Sequence, residues 1–321
     1  LPESMLILGC GPIGCEMGQA FQRLGSKVTM INRSGQILSK EDPDMAQGVM
    51  EVMASEGVQF HLSSAIQSVK DLDDKKEVVL KDQDGKIINL QAKTILVALG
   101  RSPNIEGLGI DQIGVATSRN GVTVDRRLRT SQPHIYAAGD VTGGPQFTHA
   151  AGYQGGIVIS NAIFHLPRRT DYSWLPWCTF TEPSLGNIGM NERMAQAAGI
   201  DYTVWNENFA DNDRSLAEGK GYGKIKLLLN RKEKPIGVQI FGPHAGDLLG
   251  EWVAALNGKV KLTTLASAIH PYPTIAEINK RVAGSLLSPK LFSDRTRKIL
   301  KLLFRYQGAA CGPTTPEEGD E

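Results

Sequence analysis

A chain of 321 residues, 41% hydrophobic and 21% charged, has room for two ordinary domains with proper cores, which excludes disorder and a collagen-like repeat. Its 35 Lys and Arg against 34 Asp and Glu leave a net charge of +1, so no global field would draw it onto nucleic acid. Four Cys make no disulfide framework and none has a metal-ligand spacing with His, which points to a reducing, cytoplasmic compartment with no metal site. No apolar run is long enough to span a bilayer, and Leu1-Pro2-Glu3-Ser4 is not a signal peptide. With no initiator Met and a strand starting within four residues, the chain reads as beginning partway through a longer protein.

In chain order, Ser4 to Leu8 is a short apolar strand, followed by a glycine loop, a helix over Cys15 to Leu24 and a second strand over Lys27 to Ile31. This is a βαβ unit. A helix from Pro43 to Ser55 follows, then short strands at Val58 to Leu62, Ser64 to Lys70, Glu77 to Lys81 and Ile87 to Gln91, with Lys75 and Gly85 marking turns of a meander. The uninterrupted run Thr94 to Ala98 predicts a buried parallel strand. A strand at His134 to Ala137 and a helix over Ala150 to Phe164 occupy the next region. Strands at Trp177 to Thr181, Tyr202 to Asn208, Gly223 to Asn230 and Pro235 to Phe241, with helices from about Asp247 and Thr264, predict an α+β domain on an antiparallel sheet. The fold class is therefore α/β with a second, α+β domain.

Gly9-Cys10-Gly11-Pro12-Ile13-Gly14 is a G-x-G-x-x-G between a strand and a helix, the context that turns a weak pattern into a Rossmann-like dinucleotide loop. The first glycine permits the tight turn, the second lets backbone approach a pyrophosphate, and the third lets helix and strand pack closely. Where an NAD site ends its second strand with an acid for the ribose hydroxyls, this chain has Asn32-Arg33, which suits the 2'-phosphate of NADP and leaves NAD open. Cys10 and Cys15 are spaced like a redox dithiol, but the phosphate loop already explains both positions, so they read as structural.

With Gly100-Arg101-Ser102-Pro103-Asn104 and Ala137-Ala138-Gly139-Asp140-Val141 following that loop in order, the chain resembles the class I pyridine nucleotide-disulfide oxidoreductases over about Met5 to Gly284. That family includes dihydrolipoyl dehydrogenase, glutathione reductase and mercuric reductase. The resemblance implies an NAD(P)-binding domain over 1–103, the C-terminal part of an FAD-binding domain over 104–170, a dimerisation domain over 171–284 and an extension over 285–321. It implies FAD and NADP as cofactors and a homodimer. By that resemblance Gly100 is a cofactor-binding residue, as are Pro12 and Ile13 of the glycine loop, Asp140 would bond the ribityl-pyrophosphate part of the flavin, and Thr148 and His149 would begin a helix beneath its ring. Glu16 falls where the family has a Glu paired with a Lys near the flavin.

The family's dimerisation domain ends in His-Pro-Thr-x-x-Glu, with the His as acid-base partner of the thiol and the Glu orienting it. Aligning Pro273-Thr274-Ile275-Ala276-Glu277 puts Tyr272 in the place of the His. A phenol near pKa 10 does not shuttle protons at neutral pH as an imidazole near 6.5 does, although it can donate a hydrogen bond or help to hold a soft metal. His270, two residues earlier, is either a substitute base or a packed interface His. A P-Y-x-T-x-x-E segment is similar to mercuric reductases, whereas the lone Cys311 of the tail is not. The family's first glycine fingerprint and its C-x-x-x-x-C dithiol precede the segment that opens this chain, so the expectation is a fragment of an FAD-dependent enzyme acting on a disulfide or a soft metal ion. The alternatives are a dihydrolipoyl dehydrogenase type, or a non-catalytic nucleotide-binding and dimerisation module whose partner is the absent FAD segment.

Pro289 to Tyr306 carries six Lys or Arg and one Asp, with Ile299, Leu302, Leu303 and Tyr306 at helical spacing, while Gln307 to Glu321 carries four acids and no base. The basic stretch is expected to be a terminal helix packed on its own domain, the other readings being weak contact with an anionic membrane surface or packing on a partner helix. The acidic end is expected to be disordered.

Overall fold

The structure, a computed structural model, describes residues 1–304. Tyr306, Cys311 and the acidic segment from Gln307 to Glu321 lie outside the described residues. Strand β1 (Ser4–Leu8) is apolar after Ser4 because both of its faces are covered. Met5 and Ile7 pack under the helices α1 (Pro12–Arg23) and α2 (Pro43–Ser55), while Leu6 and Leu8 meet the other layer. Strands β1, β2 (Lys27–Ile31), β3 (Gln59–His61) and β7 (Thr94–Val97) form a parallel sheet in the order β3-β2-β1-β7. The second layer is the antiparallel meander β4 (Ala65–Leu72), β5 (Lys75–Lys81) and β6 (Ile87–Ala92).

Three local expectations need correction. Helix α1 starts at Pro12, not Cys15, because a proline lacks only an N–H that the first helical turn leaves unpaired. The meander's first turn is at Asp73 and Asp74, and Lys75 is already in β5, paired with Leu72. Strand β7 is parallel as predicted but not buried: it is the edge of its sheet, bonded to β1 alone, and Val97 is 65% exposed.

Residues 104–170 hold little regular structure. A two-residue ladder, β8 (Thr117–Ser118) with β9 (Gly121–Val122), precedes a 3-10 turn over Asp140–Thr142 and helix α3 (Thr148–Ala162). The strand predicted at His134 to Ala137 is reduced to a single bridge between Arg129 and Tyr136, since no neighbouring strand lies beside it among the described residues.

The third region is a five-stranded antiparallel sheet in the order β10-β11-β14-β13-β12. Its elements run β10 (Pro176–Thr179), β11 (Ser184–Gly189), α4 (Glu192–Ala197), β12 (Tyr202–Asn208), α5 (Asp213–Ala217), β13 (Lys224–Asn230) and β14 (Pro235–Gly242). Helices α6 (Ala245–Asn257), α7 (Leu262–Ser267) and α8 (Glu277–Ser285) complete it. Trp252 of α6 and Ile278 and Val282 of α8 are fully buried against Ile225, Leu227 and Ile240 of the sheet. Strand β11 is not among the strands predicted from sequence, yet it is buried throughout. A Cβ at Gly186 would meet Leu249 at 2.7 Å, so the glycine lets α6 lie close on the strand.

A buried polar seam joins the first and third regions. Lys226 Nζ lies 3.0 Å from Asp42 and 2.9 Å from Asp44 and also bonds Glu192, with only 2% of the Lys226 side chain and 1% of that of Asp42 exposed. Glu41 accepts from Trp177 Nε1 at 2.7 Å and Gln239 Nε2 at 3.0 Å. The three carboxylates Asp42, Asp44 and Glu192 converge as a metal site would, but the lysine ammonium fills the space between them.

After α8 the chain makes two short helices, α9 (Ser288–Leu291) and α10 (Asp294–Phe304). The basic helix does not pack on its own domain as expected: no residue of α10 is buried.

Candidate functional site

The glycine loop is pinned from two sides. The Gly9 N–H donates to the Ile31 carbonyl and the Leu38 N–H to the Cys10 carbonyl, each at 2.8 Å. Gly9 has φ +103°, and a Cβ there would stand 2.5 Å from the Ala98 carbonyl oxygen. At Gly14 a Cβ would stand 2.0 Å from the Gly9 oxygen, so the third glycine sets the distance between α1 and the loop. Gly11, in contrast, faces open space. Pro12 opens α1 and Ile13 lies exposed on its first turn; that turn has neither a side-chain cap nor an acid, so its N–H groups remain for an anion. A pyrophosphate fits this cradle in shape and charge. Cys10 and Cys15 are buried in it, and burial pushes the Cys10 thiol up to about 12 and the Cys15 thiol up as well, which keeps both protonated.

At the end of β2, Asn32 and Arg33 line a cleft of about 320 Å³ with Ile31, Ser64, Ala65, Ile66 and Leu99. Asn32 Nδ2 donates to the Gln36 carbonyl at 2.8 Å, shaping the loop, while the exposed Arg33 is left at the cleft's rim.

The next two motifs meet directly. Gly100 follows β7 beside the glycine loop, and Arg101 donates to Asp140 at 3.0 Å and to the Gln146 carbonyl at 3.3 Å. Asp140 is thus held by an arginine that lies inside the motif read from sequence but was not singled out there. The Gly139 N–H donates to Gln154 of α3, so the loop bearing Asp140 is fixed to the helix behind it. Helix α3 begins at Thr148 with no side-chain cap, and His149 Nε2 lies 2.8 Å from the Pro176 carbonyl while its ring stacks on Phe147. Glu16 accepts the Phe180 N–H at 2.8 Å and has no lysine partner among the described residues. Both contacts run to the ends of β10, so the first helix, α3 and the third region converge there.

In the third region the structure separates residues that sequence placed together. Tyr272 is 70% exposed and its hydroxyl donates to Asp213 at 2.9 Å. This hydrogen bond and the charge of Asp213 raise the phenol's pKa, so the group holds its proton more firmly than a free tyrosine. Glu277 accepts the Thr274 N–H at 3.3 Å and contacts neither Tyr272 nor His270 by hydrogen bond. His270 Nε2 lies 2.9 Å from Glu251, its Nδ1 3.4 Å from the Ala268 carbonyl, and Glu251 also accepts from Asn279. Glu251 and Asp213 were missed in sequence because they lie 19 and 59 residues from their partners, where no local spacing marks them.

A strand–glycine loop–helix unit in a parallel sheet, joined to a five-stranded antiparallel sheet covered by helices, is the architecture the sequence resemblance called for. The family model for pyridine nucleotide-disulphide oxidoreductases matches residues 1–155, and that family's dimerisation domain matches residues 175–283. The chain belongs to the pyridine nucleotide-disulphide oxidoreductases, as its motifs implied, and the family is FAD-dependent with NAD(P)H as electron donor. Over 285 residues it is 34% identical to a dihydrolipoyl dehydrogenase of Geobacillus stearothermophilus, covering 88% of this chain and 60% of that one. Over 290 residues it is 34% identical to a mercuric reductase of Streptomyces lividans, covering 90% of this chain and 61% of that one. The chain thus spans about six-tenths of these curated relatives. Among solved structures, a Cu(II) complex of the flavoprotein disulfide reductase RclA from Escherichia coli superposes with TM-score 0.81 at 27% identity, covering 89% and 64% of the two chains. LpdA from Mycobacterium tuberculosis superposes with TM-score 0.82 at 26% identity, covering 89% and 62%. No helix among the described residues is long and apolar enough to cross a membrane.

Proposed function

We propose that this chain is the NADP(H)-binding and dimer-forming part of an FAD-dependent oxidoreductase that reduces a disulfide or a soft metal ion. The single observation that carries the reading is the loop in which Gly9 and Gly14 admit no Cβ while Gly11 faces open space beneath an uncapped helix end. When bound, the nicotinamide would supply a hydride and the flavin would pass its electron pair to a redox disulfide, which is reduced to two thiols that in turn reduce the acceptor. The chain's own residues bind and orient: Gly9, Gly11 and Gly14 admit the pyrophosphate, Arg33 faces the 2'-phosphate, and Asp140, steadied by Arg101, accepts from flavin hydroxyls. The N–H groups opening α3 at Thr148 and His149 favour negative charge on the flavin ring. A FAD-adenosine segment would cover the outer side of α3, where Gly152, Gly155 and Gly156 have open space and Ile159, Ile163 and Phe164 are exposed.

Tyr272 favours the soft-metal branch. With its proton held by Asp213 it is no base at neutral pH, but its oxygen stands exposed where a partner subunit and an acceptor can meet it. His270 reads as a packed histidine and not as a substitute base, its Nε2 lying 2.9 Å from Glu251. Titrating the purified chain with NADPH and recording its visible spectrum with FAD tests the binding reading, and comparing Hg(II) with oxidised lipoamide as acceptors of the longer enzyme, with its FAD-adenosine segment and thiol pair, tests the branch. Absence of NADPH binding sinks the first; lipoamide-dependent, Hg(II)-independent oxidation of NADPH by the longer enzyme moves the assignment to the dihydrolipoyl dehydrogenase type. In that longer enzyme Tyr272→Phe should lower Hg(II)-dependent turnover about tenfold by removing one hydrogen-bonding group, with NADPH affinity unchanged. A colourless chain that binds NADPH supports the second reading, a nucleotide-binding and dimerisation module.

Arg33→Glu should raise the dissociation constant for NADPH about 10- to 100-fold, the loss of a charge-assisted pair, and leave NADH binding within about twofold. Equal losses for both cofactors would show that Arg33 does not read the 2'-phosphate.

A further inference from the structure

Helix α10 continues past the matched dimerisation domain, which ends at residue 283, and it owes nothing to the nucleotide site. Asp294, Arg297, Lys298 and Lys301 stand at i, i+3, i+4 and i+7, one polar stripe, and Ile299, Leu300, Leu302, Leu303 and Phe304 lie on the opposite arc, which Arg295 and Thr296 interrupt in the first turn. Globular helices of this pattern turn the apolar arc onto a core. Here every one of those five side chains is exposed, Leu302 to 80%, and no residue of the helix is buried.

The attachment of the helix explains its orientation. In α9 Lys290 is paired with Glu233 on the turn between β13 and β14, which ties the start of the extension to the sheet. Pro289 and Ser293 interrupt the helix there, the Ser293 hydroxyl bonding Thr296, so α10 leaves as a separate rod. Its charges are one-sided as well: Arg295, Arg297, Lys298 and Lys301 face a single acid, Asp294. Arg295 stands within the apolar arc, between Leu302 and Ile299 around the helix, where a long side chain can lie along hydrocarbon and keep its guanidinium in the headgroup layer.

We propose that α10 lies in the surface of a bilayer containing anionic lipids, its apolar arc among the upper acyl chains and its cations on the phosphates. The charge complementarity selects this occupant: a second protein core would satisfy the apolar arc but leave four cations with one acid. The helix is too short to span a membrane, so attachment is in the plane of the interface, reversible and salt-sensitive.

Co-sedimentation of the full chain with phosphatidylcholine vesicles, and with vesicles of phosphatidylcholine and phosphatidylglycerol, tests this. The chain should pellet with the anionic vesicles and stay in solution with the neutral ones. Each of Lys298→Gln and Lys301→Gln should lower the partition coefficient about fivefold. Leu303→Asp in the full chain, and a chain ending at Leu287, should fall to the neutral background. NADPH affinity, unchanged in every variant, reports that the fold is intact. Equal pelleting with both vesicle types, or undiminished pelleting of the chain ending at Leu287, would overturn the proposal. So would assembly beyond a dimer that Leu303→Asp abolishes without any vesicle binding, which would assign the face to contacts between copies of the chain.

Discussion

Gly11→Ala is expected to leave the melting temperature of the chain unchanged while lowering NADPH affinity by about two orders of magnitude. The residue has φ −77° and ψ −177°, a conformation alanine adopts without strain, and nothing lies within 4 Å of the added methyl. The methyl would instead occupy the space through which backbone N–H groups reach the pyrophosphate. Losing one or two charge-assisted hydrogen bonds of about 1.5–3 kcal/mol each accounts for the drop. Gly14→Ala separates this effect from packing. Its methyl would stand 2.0 Å from the Gly9 carbonyl oxygen, which is backbone and cannot swing aside, so stability should fall by about 1–3 kcal/mol along with affinity. Thermal unfolding and NADPH titration of the two variants provide the check. Wild-type affinity in Gly11→Ala would mean that the open space is not where the phosphate lies.

Lys226→Met should cost about 3–5 kcal/mol of stability, because the change strands Asp42 in the seam with 1% of its side chain exposed. Asp42 keeps two backbone donors, Glu192 N–H at 3.2 Å and Arg193 N–H at 3.1 Å, which argues for the lower end of that range. Burial by itself would lower the Lys226 pKa, but hydrogen bonds to Glu192, Asp44 and Asp42 outweigh it and raise the value. For Asp44, burial opposes ionisation, yet the bonds from Lys224 and Lys226 hold the carboxyl below its ordinary value. The signs follow. The raised lysine contributes stability fully present below its unfolded pKa of about 10.4 and lost as pH rises through the folded value. The depressed aspartate contributes stability present above about 3.9 and lost as pH falls through its folded value. The deficit of Lys226→Met should therefore be flat from about pH 5 to 9 and shrink at the acid end. Adding Asp42→Asn and Asp44→Asn to Lys226→Met should recover part of the loss, since a buried charge network replaced as a whole costs less than one broken at a single member. Urea unfolding across that range measures both; a Lys226→Met chain as stable as wild type would show that the seam does not hold the two regions together.

The parts of the fold that could be read from sequence are those whose signals are local. Strands β1 and β2 and helix α2 form over the residues their apolar patterns mark, and the glycine loop lies between strand and helix as the motif requires. Elsewhere the pattern misleads for identifiable reasons. Strand β11 carries two glycines, of which Gly186 lets α6 approach, and the run at His134 to Ala137 finds only the short segment Leu128 to Thr130 to pair with among the described residues. The run Thr94 to Ala98 looks like a covered strand, but it forms an edge, and burial depends on neighbours that its own residues do not specify.

The candidate site divides the same way. The motifs by themselves determined the family and the place of the glycine loop between strand and helix, because these depend on residue identity at fixed short spacings. Only the tertiary structure decided what each group does next to its neighbours. It gave Tyr272 to Asp213, His270 to Glu251, Asp140 to Arg101 and the Asp42 carboxylate to Lys226, pairs separated by up to 184 residues. Whether a side chain can release or hold a proton, or leaves its helix face bare as α10 does, is set by the groups that folding brings within a few ångströms. Such contacts leave no periodic trace along the chain.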